Sequence, residues 1–375
     1  KDLSSLKFAY EDFEDFEHKI IYYESSRGCP FSCSYCLSSI DKSVRFRDLE
    51  LVKEELQTFI EAKVPQVKFV DRTFNCKASH AMEIWNYIYE HDNGVTNFHF
   101  EVAADLITEE ELELFEKMRK GLIQLEIGVQ STNEETVCEI RRKMDFAKVS
   151  ERVTRVKNLG NIHQHLDLIA GLPNENYESF AKSFDDVFAL RPEQLQLGFL
   201  KVLKGSYMYE NRKAYGLVYR SEPPYEVLST NWISYDEMIR LKGIEQIVEL
   251  YYNSHQYDKT LEAVFEGEKS AFGFFESLAD DYRAKGYQLV NHSRKEKYYI
   301  LAKEKNEKEH GNVVFREGDK VMQIKNNYDL KWKNFENGEE GSGVFNGDVG
   351  YIHTINKLLK TVNVIFDDKI VTYDY

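Results

Sequence analysis

Six short apolar runs, at 20–23, 66–70, 98–102, 122–128, 163–169 and 194–200, alternate with segments whose apolar residues recur at helical spacing. Runs of that length read as strands, and a helix between each pair leaves little choice of fold. Strands joined through helices lie parallel, because a tight hairpin cannot span the connection. Right-handed crossovers then curl the six units into an incomplete (β/α)6 barrel. The helix signals are specific. Leu49, Val52, Leu56, Phe59 and Ile60 share one face, as do Leu112, Phe115 and Met118, and Phe180, Phe184, Val187 and Phe188 form another stripe before Pro192. Thr108 with Glu111 and Thr132 with Glu135 have the spacing of capping boxes, and Gly121 and Gly160 read as C-terminal caps.

Ligands of such sheets gather at the carboxyl ends of the strands. The first run leads directly into Arg27-Gly28-Cys29-Pro30-Phe31-Ser32-Cys33-Ser34-Tyr35-Cys36, a Cys-x3-Cys-x2-Cys loop with an aromatic residue before the last cysteine. Three thiolates on one loop can each hold one iron of a 4Fe-4S cluster and leave the fourth iron open to a cofactor. A structural zinc site takes four protein ligands, and neither His18 nor Cys76 stands at a usual zinc spacing from the loop. A disulfide would leave one of the three cysteines over, and four-cysteine ferredoxin spacings are absent. Zinc with a distant fourth ligand stays open, and the open cluster is the reading on which the spacing, the preceding strand and the aromatic residue agree.

The loop resembles that of the radical S-adenosylmethionine (SAM) enzymes. More narrowly, residues 19–303 are similar to radical SAM enzymes that follow a cobalamin-binding domain. The segments carrying that likeness are Tyr23-Glu24-Ser25-Ser26-Arg27-Gly28, Val70-Asp71-Arg72-Thr73-Phe74-Asn75, Gly128-Val129-Gln130-Ser131 and Asp167-Leu168-Ile169-Ala170-Gly171-Leu172-Pro173. The resemblance implies a TIM-like partial (β/α)6 barrel at 19–203 and a 4Fe-4S cluster on Cys29, Cys33 and Cys36. It implies SAM chelated to the open iron and cleaved reductively to start radical chemistry.

The same resemblance assigns SAM contacts by position. Phe31 and Tyr35 shield the cluster, with the Tyr35 backbone near the adenine. Asp71 stands where the family often has Gly-Gly-Glu, so it either accepts from the SAM ammonium or caps a turn. Glu101 and Gln130 reach the ribose hydroxyls, whereas Glu126, within its strand, faces the core and is paired. Arg142, in Ile140-Arg141-Arg142-Lys143 on the helix after the fourth strand, pairs with the SAM carboxylate, while Arg141 and Lys143 belong to a solvated face. Ile169 packs on the adenine, and Asp167 replaces a family glycine. His163 and His165 share a strand face, either handling substrate protons or satisfied structurally. Cys76 follows the second strand, Cys138 reads as a core residue, and Lys201, Lys204 and Tyr207 end the sixth strand. No catalytic acid or base stands out.

Beyond the barrel, residues 204–303 read as a helical extension that covers the site: an irregular stretch at 207–232, helices at 234–252 and 271–285, and a strand at 297–303. Residues 304–312 are charged and read as a linker, and 1–18 as a lead-in. Residues 313–375 then alternate apolar and polar over 319–324, 344–355 and 361–373, with turns at Asn337-Gly338, Asn346-Gly347 and Asp367-Asp368. This small all-β barrel resembles the Src-homology-3-like barrel of RecD-like DNA helicases through Gly318-Asp319-Lys320-Val321-Met322-Gln323, Asn326-Asn327-Tyr328-Asp329 and Val344-Phe345-Asn346-Gly347-Asp348-Val349-Gly350. No Gly-x4-Gly-Lys-[Ser/Thr] phosphate loop accompanies it, so helicase chemistry does not follow. The pairing of the two parts is either a native fusion or a joining of unrelated segments.

The formal charge of −15 argues against a general nucleic-acid coat. Locally, Lys320, Lys325, Lys331 and Lys333 with Tyr328 and Trp332 either meet a nucleic-acid strand or form solvated faces. An iron–sulfur electron carrier or sensor is the remaining alternative. The presence of 24 Tyr and 24 Phe suits an aromatic-lined cavity or an ordinary core. No apolar run reaches membrane length and no signal peptide is visible, so a reducing cytoplasm is expected, without membrane partners. A radical SAM enzyme there needs an external electron donor such as a flavodoxin or ferredoxin, besides its substrate. The chain opens on Lys1, and cobalamin, whose ligating Asp-x-His-x-x-Gly is absent, would have to be held by sequence upstream of it.

Overall fold

The six expected strands form and lie in one parallel sheet, in chain order: β1 (Ile21–Tyr23), β2 (Gln66–Phe69), β3 (Asn97–Val102), β4 (Ile123–Gln130), β5 (His163–Ala170) and β6 (Gln194–Phe199). This computed structural model describes residues 2–374 apart from 11, 14, 15, 17, 18, 266–269, 306, 311, 312, 336 and 357–360. His18 and parts of the expected lead-in and linker therefore lie outside the described residues. Helices α1 (Leu49–Glu61), α2 (Ala78–Glu90), α3 (Glu109–Lys117), α4 (Glu134–Glu139), α5 (Phe146–Leu159) and α6 (Tyr177–Phe188) fill the crossovers. Helix α1 starts where Asp48 accepts from the Glu50 and Leu51 amides, and it buries Val52, Leu56, Phe59 and Ile60. Thr108 and Glu111 close a capping box on α3. Gly160 ends α5 with φ 72°.

Each face of the sheet has its own chemistry. In β4 the side chains of Ile123, Leu125, Ile127 and Val129 are buried, while Gln124, Glu126, Gly128 and Gln130 alternate with them at partial exposure. In β5, Gln164, Leu166, Leu168 and Ala170 are buried and alternate with His163, His165, Asp167 and Ile169. Many aromatic residues of the first half belong to the core. Phe59, Phe69, Phe74, Trp85, Phe100 and Phe115 are fully buried, with the Phe74 and Phe100 ring centres 4.4 Å apart. Each such ring contributes roughly 2–3 kcal/mol by leaving water.

The chain divides into two compact units, Lys1–Ser254 with Ser270–Glu276, and His255–Lys269 with Ser277–Tyr375. The segment expected as one helical extension is thus shared between them. In the first unit, the stretch expected to be irregular contains α7 (Tyr207–Glu210) and a short hairpin pairing Val218–Tyr219 with Val227–Ser229. Helix α8 (Tyr235–Ile247) follows, capped by Ser234 and Glu237, and continues as one π-helical stretch, Val248–Asn253. Helix α9 (Asp258–Phe265) belongs to the second unit, and α10 (Ala271–Lys285) spans the boundary.

Several expectations need correction. Thr132 does not cap α4: its hydroxyl donates to Asp186, and Asn133 accepts from the Glu135 amide instead. Gly121 lies beyond the end of α3, which Met118 caps. The strand expected at 297–303 is α11 (Arg294–Lys305). In the expected linker, Glu307–His310 pairs antiparallel with Val313–Arg316.

The second unit also contains an antiparallel sheet of β7 (Lys320–Met322), β8 (Asn327–Asn334), β9 (Glu340–Val344), β10 (Val349–Asn356), β11 (Thr361–Phe366) and β12 (Lys369–Asp374), in the spatial order β7-β10-β11-β12-β8-β9. Val344, Ile352, Ile355, Val364, Phe366 and Val371 form its core. The turns at Gly338, Gly347 and Asp367 all have positive φ, as the turn residues required. Among the described residues no helix is long and apolar enough to cross a membrane.

Candidate active site

The cysteine loop meets the carboxyl ends of the sheet at a cavity of about 200 Å³. Cys29, Cys33 and Cys36 line it together with Arg72 and Thr73 after β2, Glu101 on β3, Gly128 and Gln130 on β4, and Asp167 on β5. Local backbone chemistry fixes the loop. Gly28 has φ 108°, and a Cβ there would stand 2.4 Å from the Ser43 carbonyl oxygen, so only glycine permits the entry. Inside the loop, the Ser34 amide donates to the Ile140 carbonyl and the Met208 amide to the Ser34 carbonyl, each at 2.9 Å. Cys29 and Cys33 are buried and Cys36 is half-buried.

Of the residues expected to hold SAM, Tyr35, Glu101, Gln130 and Arg142 line this cavity, whereas Asp71 and Ile169 do not. Asp71 is fully buried behind the loop. It accepts from the Ser25 amide at 2.9 Å and from the Ser25 and Ser26 hydroxyls at 2.7 and 2.6 Å. Burial raises it to about 6 against those three bonds. Its carboxyl is committed to the stem of the cysteine loop, which corrects the assignment to the SAM ammonium. Ile169 shares the interior face of β5 but sits against Gly198 of β6, 3.8 Å from where a Cβ there would lie.

Arg142 is not on a helix. Helix α4 ends at Glu139, and Arg141 takes φ 56°, which turns the chain back toward the strand ends. Arg142 Nη2 then donates to the Gly128 carbonyl, and Nη1 lies 3.4 Å from the Tyr35 hydroxyl and 3.9 Å from Cys33 Sγ. Its Nε is shut off from solvent without an acceptor. No carboxylate pairs with this guanidinium among the described residues. A guanidinium enclosed without an anion is costly, and its fork fits a carboxylate. Arg141 and Lys143 are exposed, and the Arg141 guanidinium lies 3.7 Å from the ring centre of the exposed Tyr207.

Gln130 has φ 74° at a register shift in β4. A Cβ on Gly128 would lie 2.3 Å from Gln130 Nε2, so the glycine makes room for that side chain. The three thiols, a guanidinium lacking an anion and this glycine-made cradle together fit a cluster with bound SAM.

Charge is distributed unevenly over the interior face. Glu126 accepts from Lys68 Nζ at 2.8 Å, and His99 Nε2 lies 2.9 Å from it without hydrogen-bond alignment. Those neighbours, His99 first, hold it near 2 despite burial. It is paired, as its strand position suggests. Glu101 stands opposite it in register and has no hydrogen-bond or ion-pair partner among the described residues. Burial and then the Glu126 charge raise Glu101 to about 7. His165 Nε2 lies 3.0 Å from Asp167 Oδ1, which raises the imidazole although burial opposes it. The two atoms are ion-pair neighbours without hydrogen-bond alignment, and His165 Nε2 is buried with no hydrogen bond among the described residues.

Sequence reasoning did not single out Lys68, His99, Arg72 or Thr73 and placed Lys143 on a solvated face, yet Arg72, Thr73 and Lys143 line the cavity. Polar residues at alternate strand positions, as in His99 and Glu101 or Gln124 and Glu126, were the available signal. Lys201 bridges to Glu226, and neither it nor Lys204 nor Tyr207 lines the cavity. Cys76 is half-buried, its thiol raised by burial and the nearby Cys29 and Asp71. Cys138 is exposed, not a core residue. In the second unit Lys320, Lys325, Lys331 and Lys333 are exposed, as is Tyr328. Trp332 is half-buried, with Lys369 Nζ 4.5 Å from its ring centre, so that face of its ring is covered.

Residues 23–187 match the radical SAM superfamily, 213–326 a protein of unknown function family (DUF4080), and 295–366 the ATP-dependent RecD-like DNA helicase SH3 domain. The chain is 31% identical over 107 residues to an oxygen-independent coproporphyrinogen III oxidase of Salmonella typhimurium, covering 27% of this chain and 23% of the relative. It is 25% identical over 260 residues to a 2-(S-pantetheinyl)-carbapenam-3-carboxylate methyltransferase of Streptantibioticus cattleyicolor, covering 62% of this chain and 37% of the relative. Both alignments span well under half of the relative's own length. Among solved structures, the radical SAM methyltransferase TsrM from Kitasatospora setae superposes with a TM-score of 0.47 and 18% identity, over 54% of this chain and 40% of that one.

Proposed function

We propose, for a chain whose residues 23–187 belong to the radical SAM superfamily, that a 4Fe-4S cluster on Cys29, Cys33 and Cys36 cleaves SAM to open radical chemistry on a further substrate. One observation carries this reading: a single cavity at the strand ends is lined by all three thiols and by Arg142, which has no carboxylate partner there. When bound, the cluster and SAM supply hydrogen-atom abstraction from the substrate, with methionine and 5′-deoxyadenosine as products.

The chain's own residues bind and exclude water. Cys29, Cys33 and Cys36 would hold the cluster by their thiolates. Arg142 offers its fork to the SAM carboxylate. Gln130 and the unpartnered Glu101 are offered to the ribose hydroxyls. Phe31 and Tyr35, which line the same wall as the thiols, keep water from the metal. The Lys68–Glu126–His99 and His165–Asp167 pairs hold a fixed polar floor beneath SAM.

Methyl transfer is the outcome we favour, supported by the longer of the two alignments, which is with a methyltransferase. Cobalamin would then be held by sequence upstream of Lys1. The electron comes from a low-potential donor of flavodoxin or ferredoxin type.

The test is anaerobic reconstitution with iron and sulfide, followed by SAM and dithionite, with cobalamin present. Methionine and 5′-deoxyadenosine should form in the parent protein and not in Cys33→Ala. Their absence from a protein with an intact cluster would sink the proposal. S-adenosylhomocysteine accumulating beside them would support methyl transfer.

A further inference from the structure

The three thiols differ in how near they come to solvent: Cys29 and Cys33 are buried, and Cys36 is half-buried. The chain leaves Cys36 in a tight turn, Leu37–Ser39. The Ser39 hydroxyl donates to the Cys36 carbonyl at 2.6 Å, and the Ile40 amide donates to the Leu37 carbonyl at 3.2 Å. This turn holds two large apolar side chains out in water, Leu37 at 41% and Ile40 at 66% exposure. Both line a second cavity of about 510 Å³, which shares Ser38 and Arg72 with the cavity of the thiols. The two carboxylates of that second cavity are already paired, Glu24 with Arg27 and Asp41 with Arg45.

Five exposed cations surround the loop: Lys42, Arg72, Arg141, Lys143 and Lys204. None has a carboxylate partner among the described residues. Printed contacts tie each to the loop's surface in turn. Lys42 lies between Asp41, whose carbonyl accepts from the Cys29 amide, and Ser43, whose carbonyl oxygen a Cβ on Gly28 would strike. Arg141 follows Ile140, whose carbonyl holds the Ser34 amide. Lys204 precedes Gly205, where a Cβ would lie 3.9 Å from Leu37 Cδ2. Arg72 and Lys143 line the thiol cavity itself. Of the carboxylates lining that cavity, Asp105 alone lies outside the strands among the described residues. In a chain of formal charge −15, this ring reverses the sign of the surface locally.

The reaction proposed above takes one electron from outside for each SAM cleaved. We propose that the Leu37–Ile40 turn and its ring of cations form the docking face of the electron donor, a small protein with an acidic surface around its redox centre. Leu37 and Ile40 supply an apolar centre and the cations a polar rim. The rim charges steer an acidic partner and fix its orientation, while the apolar centre holds it. Cys36 immediately precedes Leu37, so a partner seated on the turn reaches the metal site at its least buried ligand. The donor is oxidised by one electron and the cluster reduced by one, and no bond or proton changes in that step. A nucleic-acid strand would also suit a basic ring, but Leu37 and Ile40 give its bases no aromatic platform. This inference rests on the cluster reading above and not on the identity of the substrate.

The experiment compares the reconstituted full chain with two variants, Ile40→Ser and the double variant Lys42→Glu with Lys204→Glu, at equal iron and sulfide content. The donors are a reduced acidic flavodoxin, a reduced acidic ferredoxin and, as a small molecule, dithionite. Stopped-flow absorbance reads cluster reduction, and calorimetry reads binding of each oxidised donor protein. The charge reversal should slow reduction by a donor protein about tenfold or more at low salt. The deficit should fade in high salt, where exposed charges are screened. Ile40→Ser should weaken donor binding several-fold at every salt concentration. Dithionite should reduce all three proteins alike. Donor-protein rates and affinities unchanged in both variants overturn the proposal, as does equal slowing with dithionite. So does a parent cluster that dithionite reduces and neither donor protein does. A single-stranded oligonucleotide that binds the parent but not the charge-reversed variant, with donor rates unchanged, assigns the ring to nucleic acid and also overturns it. A parent protein that takes up no cluster rejects the metal reading and the docking face with it, whereas an intact cluster indifferent to the variants rejects the docking face alone.

Discussion

Glu175 provides the sharpest test of the electrostatic reasoning, because it lies away from the cavity and has few partners. Its side chain is fully buried. One oxygen accepts from the Ser131 hydroxyl at 2.6 Å and the Ser183 hydroxyl at 2.9 Å, while Oε2 is buried without a partner. Burial raises the group from 4.5 to about 7, against the two hydroxyl bonds. A folded-state value above the ordinary one means stability that is fully present below pH 4.5 and lost as pH rises through about 7. That rise corresponds to about 3 kcal/mol withheld at alkaline pH. Glu175→Gln cannot ionise and keeps an oxygen for the two serines. The variant should match the parent at pH 5 to within about 1 kcal/mol and exceed it at pH 8.5 by about 3 kcal/mol. For a unit of this size, that is roughly 6–12 °C in Tm. Hydrogen exchange followed by mass spectrometry on peptides spanning α6, at both pH values, reads this unit alone. Titrating groups common to both proteins cancel in the difference. An equal offset at both pH values, or a variant less protected at pH 8.5, would refute the reasoning.

Two further substitutions test the loop and the cradle. Asp71→Ala strands the Ser25 amide and the Ser26 hydroxyl and leaves the Ser25 hydroxyl only His80, and should cost about 3–5 kcal/mol. It should also lower iron retained after reconstitution, and unchanged unfolding and iron content would show that Asp71 does not hold the loop stem. Gly128→Ala puts a methyl group 2.3 Å from Gln130 Nε2. It should weaken SAM binding about tenfold, ~1.4 kcal/mol, by calorimetry on the reconstituted protein, and unaltered affinity would remove Gln130 from the SAM site.

How much could be read from the sequence depended on whether a feature was local. The six strand runs carry their own apolar pattern, so all six formed within two residues of the expected bounds. The cysteine spacing is likewise local. The capping motif at Thr132 failed because a competing acceptor, Asp186, comes from α6 far along the chain. Asp71 was misassigned for a related reason: its three donors, on Ser25 and Ser26, lie 45 and 46 residues away. The 297–303 segment alternates weakly, and its helix begins with Ser293 and Glu296 bonding each other's amides, a signal that was overlooked. The polar floor is a property of four strands in register, which pairs Glu101 with Glu126 and Glu126 with His165. No single strand reveals such a set of neighbours.

The loop that carries the thiols is held at Ser34 by bonds in which only main-chain atoms take part, one to Ile140 and one to Met208. Side-chain replacement by anything but proline leaves such anchors in place. The spacing of Cys33 and Cys36 is therefore insulated from drift at the residues that do the holding, and Ser34 is constrained by volume alone.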